Sequence, residues 1–222
     1  MSVAIKGNQT INRSTPSANF RQRTHNHNTG SDGLLILSVI ISNGNNKNFN
    51  GATYNGVAMT GPVYNENRSI GVRSAFYYMI NPPSGQHLLR INFNKSNFNL
   101  MSFYARSFTG SGGIGNHYNS NGTTQTPINA TITTSADSLI IMSSVSNVVN
   151  ATMQIPQGTN VAKINHNINK RATQGSISTN GFPAQNTNLR VTVNNNQASL
   201  DAVEILGLSS SSGGESNFFM IM

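Results

Sequence analysis

Cysteine and tryptophan are missing from this chain, and acidic residues number only 6. Without cysteine there can be neither a disulfide nor a thiolate metal ligand. The acids are Asp32, Glu66, Asp137, Asp201, Glu204 and Glu215, which leaves little for acid–base work. Cleaving a glycosidic bond takes two carboxylates that face each other. Asp32 and Asp137 instead open two similar apolar runs and read as turn caps, while Asp201 and Glu204 have odd spacing and fall on opposite faces of a strand. There is no G-x-S-x-G elbow to activate a serine. No segment approaches the roughly 20 apolar residues that span a bilayer, and the N-terminus lacks the apolar core of a leader. The expectation is a protein that is not an enzyme, with no cofactor, no metal site and no membrane span.

The shortage of acids also sets the charge. Lys and Arg total 14, so the formal net charge is +8, yet charged residues make up only 9% of the chain, well below the ~25% of ordinary soluble domains. The longest basic run is the pair Lys170-Arg171. A nucleic-acid footprint would show clustered base with aromatics between, so no specific nucleic acid is expected, only a weak attraction to polyanions such as DNA or lipopolysaccharide. Solubility rests on amides and hydroxyls instead, with 35 asparagines. Amides bond a neighbouring surface as readily as water, which suits a protein packed in an assembly.

What the sequence does have is strand pattern. Leu34 to Ser42 is a continuous apolar run rich in β-branched residues and closed by Asn43-Gly44. Ser74 to Ile80, Leu88 to Asn94, Met101 to Phe108, Ile128 to Thr133, Ser138 to Ser146, Leu189 to Val193 and Ala198 to Leu206 follow. Within Leu88 to Asn94, Leu89, Ile91 and Phe93 share one face and Arg90, Asn92 and Asn94 the other, the signature of a half-buried strand. Asn-Gly, the strongest short hairpin signal, also occurs at Asn50-Gly51, Asn55-Gly56, Asn121-Gly122 and Asn180-Gly181. No segment carries a helical stripe. The fold class is therefore all-β, an antiparallel β-sandwich.

Two runs resemble each other: Asp32-Gly-Leu-Leu-Ile-Leu-Ser and Asp137-Ser-Leu-Ile-Ile-Met-Ser. They read as central strands opening successive halves of one sandwich, with a duplicated double domain as the alternative. Residues 1–17 read as a polar N-terminal arm, 18–206 as a single domain beginning with a strand at Ala18 to Asn26, and 207–222 as a Gly/Ser spacer with an apolar end. That end, Phe218, Phe219, Met220, Ile221 and Met222, would be an aggregation liability if exposed. Docking on another subunit and docking on its own domain are both open, and the segment is the candidate assembly hook.

The order of an apolar strand, Tyr54-Asn55-Gly56-Val57-Ala58-Met59-Thr60, the aromatic strand from Phe76 to the turn at Gly85, Leu88 to Phe93, and Ser107-Phe108-Thr109-Gly110 resembles a jelly-roll-like β-sandwich domain recurring in bacteriophage structural proteins. It recurs also in some large bacterial surface proteins. The later Asp137 run and Ala202 to Ile205 fit the same layout. The chain departs from the pattern in having Phe76-Tyr77-Tyr78 where such domains often carry Trp. The resemblance implies a non-enzymatic virion protein, decorating a capsid or forming part of a spike, fibre or tail. Its partners would be other virion proteins and copies of itself, and it would be made in the host cytoplasm without a signal peptide. The alternative is a carbohydrate-binding receptor-recognition or adhesin module touching a host surface glycan.

Three further motifs bear on chemistry. Gly110, Gly112 and Gly115 form G-x-G-x-x-G, but no helix can follow to face a pyrophosphate, so the stretch reads as a Gly-rich loop. His25 and His27 share a face of their strand but lack a third ligand, and they read as exposed histidines on a polar edge. Tyrosines offer the better idea: Tyr54, Tyr64 and Tyr118 are the candidate glycan contacts, stacking on sugar rings while nearby asparagines bond hydroxyls.

Overall fold

The structure, a computed structural model, describes residues 3–14, 20–27, 33–42, 49–63, 65–67, 72–94, 100–120, 128–146, 152–154, 161–168, 171–178, 183–192 and 198–208. All the regular structure among them is strand. The first part holds β1 (Ala4–Ser14), β2 (Phe20–His27), β3 (Leu34–Ser42), β4 (Phe49–Tyr54), β5 (Val57–Ala58), β6 (Asn65–Asn67), β7 (Val72–Ile80), β8 (Gly85–Phe93) and β9 (Leu100–Thr109). The second holds β10 (Ser111–Asn119), β11 (Ile128–Thr134), β12 (Leu139–Ser146), β13 (Thr152–Gln154), β14 (Val161–Ile168), β15 (Arg171–Ser178), β16 (Gln185–Thr192) and β17 (Ala198–Gly207). Every strand pairing among the described residues is antiparallel.

Each part makes two sheets. The first inner sheet runs β1-β9-β3-β7-β6 and the first outer sheet β2-β8-β4-β5; the second inner sheet runs β10-β17-β12-β15-β14 and the second outer sheet β11-β16-β13. Taken along the chain, these are one topology written twice. β10 stands where β1 does, β12 where β3 does, β17 where β9 does and β16 where β8 does, and only β5 has no counterpart among the described strands. The register repeats as well. Leu34 faces Ile80 and Phe108 across its neighbours, Ile36 faces Tyr78 and Arg106, and the matching Ile141 faces Ile177 and Val203.

The resembling runs are thus the middle strands of two whole sandwiches, rather than of two halves of one. β3 feeds two cores in alternation. Leu35, Leu37, Val39 and Ile41 pack with Tyr54, Leu89, Ile91 and Phe93 of the first outer sheet. Leu34 and Ile36 pack the other way, with Phe76, Phe108, Leu139, Ile141, Val203 and Ile205. β12 does the reverse, since Leu139 and Ile141 meet the first sandwich while Ile140 and Met142 are buried on the opposite face. The layers therefore run outer, inner, inner, outer. A strand covered on both faces has no polar side to keep, which is why both runs are continuously apolar rather than alternating. Burying each such side chain contributes roughly 1.5–3 kcal/mol.

Three local expectations change. Residues 1–17 are not only an arm, because Ala4–Ser14 form β1 and pair with β9. An edge strand takes its stability from the ladder, so its sparse apolar content gave no strand signal. The Gly110–Gly115 motif is not a loop: Gly110, at φ 65°, makes the step from β9 to β10, and Gly112 and Gly115 lie within β10. Gly115 sits close to its neighbours: a Cβ there would displace the Glu204 carboxylate and lie 2.8 Å from Leu206 Cδ2. Of the Asn-Gly pairs, Asn55-Gly56 is the expected hairpin turn between β4 and β5, with both φ angles positive at 52° and 77°. Asn50-Gly51 instead lies inside β4, at an irregularity in its pairing with β8, and the other three pairs lie outside the described residues.

Candidate functional site

Within the first sandwich, the period of two along β2 turns His25 and His27 inward, at 1% and 0% exposure. They meet Ser107 of β9, whose Oγ lies 2.9 Å from His25 Nε2 and 2.8 Å from His27 Nδ1. A hydroxyl has one proton to give, so Ser107 donates to one ring and accepts from the other. Burial holds both imidazoles down at about 4, and the nearby charges of His27 and Arg106 add to this for His25. Both rings are neutral at pH 7. The Tyr54 hydroxyl sits 3.2 Å from the His25 carbonyl oxygen and 3.0 Å from that of Gly85. Its ring meets those of His25 and His87 edge-on, at 6.1 Å and 5.5 Å between centroids. This is a sealed polar seam that fixes β2 against β9. The expectation of exposed histidines at a polar edge fails because Ser107, distant in sequence, supplies the partner that makes burial tolerable.

The second sandwich uses its carboxylates in the same structural way. Glu204 is fully buried and accepts the backbone N–H groups of Asn116 (3.0 Å) and Ser135. Its place opposite Ile140 in β12 matches that of Ser107 opposite Leu35 in β3. Asp201 points the other way, toward the first sandwich, accepting from Ser74 and from Asn119 Nδ2 at 3.1 Å. The opposite facing expected from their spacing is what the strand delivers. Among the described residues no group of three or more His, Cys, Asp or Glu side chains is gathered to hold a metal, and no helix is long and apolar enough to cross a membrane.

An open groove lies on the second outer sheet. Its volume is about 570 Å³, and it is lined by Tyr118 of β10, Asn129, Ala130 and Thr131 of β11, and Asn188, Leu189 and Arg190 of β16. Strand alternation explains the lining: Ala130 and Leu189 are buried, while Asn129, Thr131, Asn188 and Arg190 are exposed. Asn129 stands opposite Arg190, and Thr131 opposite Asn188, whose Oδ1 accepts the threonine hydroxyl at 3.1 Å. Tyr118 is half-buried. The set offers a ring face, amides, a hydroxyl and a guanidinium, and no carboxylate. No protein-family model matches this chain, and no curated protein or solved structure is significantly similar to it.

The expected glycan contacts separate accordingly. Tyr118 lines the groove. Tyr54 does not qualify, because it is fully buried with its hydroxyl turned to backbone carbonyls. Its place just before the Asn55-Gly56 turn reflects core packing. Tyr64 and Phe218 to Met222 lie outside the described residues. Sequence reasoning missed Asn129, Thr131, Asn188 and Arg190. The available signal was a second likeness between the parts, Leu89-Arg90-Ile91 and Leu189-Arg190-Val191, which places an arginine at the same site on both outer sheets.

Proposed function

We propose that the chain is a non-enzymatic structural protein of a bacteriophage virion, a capsid decoration, spike, fibre or tail component working through subunit contacts. The observation that carries this reading is how the reactive side chains are used. His25, His27, Asp201 and Glu204 all face inward and hold strands together, while the outer sheet presents a ladder of Thr131–Asn188 and Thr133–Asn186 hydrogen bonds. Such a face meets another protein surface with little charge to desolvate. Mass spectrometry of purified particles from the phage that encodes the chain tests the reading. A copy number in fixed ratio to the capsid protein is expected, and absence from intact particles contradicts it. Deleting residues 213–222 is expected to abolish incorporation while leaving a folded domain; normal incorporation would remove the hook from the account.

A second reading, receptor recognition through a host surface glycan, is favoured by the groove. A partly exposed aromatic ring flanked by amide and hydroxyl groups is suited to a sugar, whose CH face packs on the ring while its hydroxyls bond the amides. Binding of isolated monomeric protein on a glycan array would support it.

A further inference from the structure

We propose that the groove beside Tyr118 takes an acidic saccharide, one whose carboxylate, sulfate or phosphate pairs with Arg190 while Tyr118 packs on a sugar ring. The inference rests on the glycan reading of that groove and adds the class of sugar. Its basis is the guanidinium. Arg190 is exposed at the groove, and among the described residues no carboxylate, hydrogen bond or ring holds it. At the matching place on the first outer sheet, Arg90 is committed. Its guanidinium carbon lies 4.0 Å from the Phe20 ring centroid, and its Nε donates to Asn92 Oδ1 at 2.8 Å.

The local composition of the groove explains why a ligand's anion would find Arg190. Arg190 faces Asn129 of β11 and Gln154 of β13, Thr131 is its diagonal neighbour, and Asn188 precedes it by two on the same strand, so the residues beside it in the ladder are neutral ones that neither neutralise it nor repel an anion. The amides of Asn129 and Asn188 can donate to the same acid group or to neighbouring hydroxyls. A guanidinium presents paired N–H donors that match a carboxylate or phosphate side by side. A neutral sugar would leave that capacity unused. A long polyanion without a ring-packing partner would use it without Tyr118.

The test is an array of carboxylated, sulfated, phosphorylated and neutral oligosaccharides probed with the full chain. Calorimetry then compares the best acidic binder with its uncharged counterpart, carboxyl-reduced, desulfated or dephosphorylated. The acidic form is expected to bind roughly tenfold or more tightly. Arg190→Gln should remove that preference, Arg90→Gln should keep it, and Tyr118→Ala should weaken both forms. Arg190 is exposed, so its variant is expected to fold, as circular dichroism would show. Equal binding of the acidic and uncharged forms would overturn the acidic assignment and leave the glycan reading standing. Binding of no saccharide at all would overturn both. Equal losses in Arg90→Gln and Arg190→Gln, or equal binding of duplex DNA, would reduce the effect to diffuse attraction by the net charge and overturn the proposal.

Discussion

Arg90 and Arg190 stand on β8 and β16, the corresponding strands of two sandwiches, each beside the leucine its sheet buries. In the first sandwich the arginine is drawn onto Phe20 and Asn92; in the second it borders a groove with Tyr118. The interiors differ in parallel. Where the first places Ser107 between two neutral histidines, the second places Glu204 under two backbone amides. One topology thus supports two surfaces, because strand order and register are set by apolar alternation, and the polar positions are free to diverge. Among the described residues, the arginine of the first sandwich is held by its own sheet, and that of the second borders an open groove.

The largest effects should come from the interior pair. Glu204→Ala takes the acceptor away from the Asn116 and Ser135 amides and is expected to cost about 3 kcal/mol. Ser107→Ala, which strands two neutral rings, should cost about 2 kcal/mol. Urea midpoints compare them directly, and equal costs would mean that the Glu204 side chain contributes no more than the Ser107 hydroxyl.

Acid should separate the sandwiches next. The histidines titrate near 6.5 when unfolded and at about 4 in the fold. Between those values the unfolded chain binds protons that the folded one refuses. Their contribution is whole above about pH 6.5 and is lost as pH falls toward about 4, by about 3 kcal/mol for each ring. The total for the pair is smaller than the sum, since both depend on Ser107. Melting temperatures across that window should drop, and His27→Gln should flatten the drop. An unchanged slope in that variant would place the acid sensitivity elsewhere.

The arginines themselves should matter least to stability. Arg90→Gln gives up a ring contact and a hydrogen bond, for about 0.5–1 kcal/mol, whereas Arg190→Gln should leave the urea midpoint unchanged. A destabilised Arg190→Gln would show that this arginine is held after all.

Much of the architecture could be read from the residues, and the reasons are physical. Half-buried strands such as Leu88 to Phe93 advertise themselves by alternation, and the doubly covered β3 and β12 by unbroken apolar runs. The likeness of those two runs was visible, but stacking of two inner sheets was not. That contact lies between residues far apart in the chain, such as Leu34 and Val203, whose types fit a one-core sandwich equally well. β1, β10 and β15 escaped notice because their polar residues follow no period of two. The groove was half legible: Tyr118 is an evident candidate, but a tyrosine's exposure depends on what passes beside it, as the burial of Tyr54 shows. Arg190 became visible only once the register set it against Asn129, and Arg90 against Gln22 with Phe20 on the diagonal.

The most direct test of this divided use is a side-chain NMR titration of the full chain with an oligosaccharide of uronic acids, following the Nε–H signals of both arginines in one sample. The account predicts that the Arg190 signal shifts and saturates while that of Arg90 stays in place. Equal movement of the two, or movement of Arg90 alone, would contradict it.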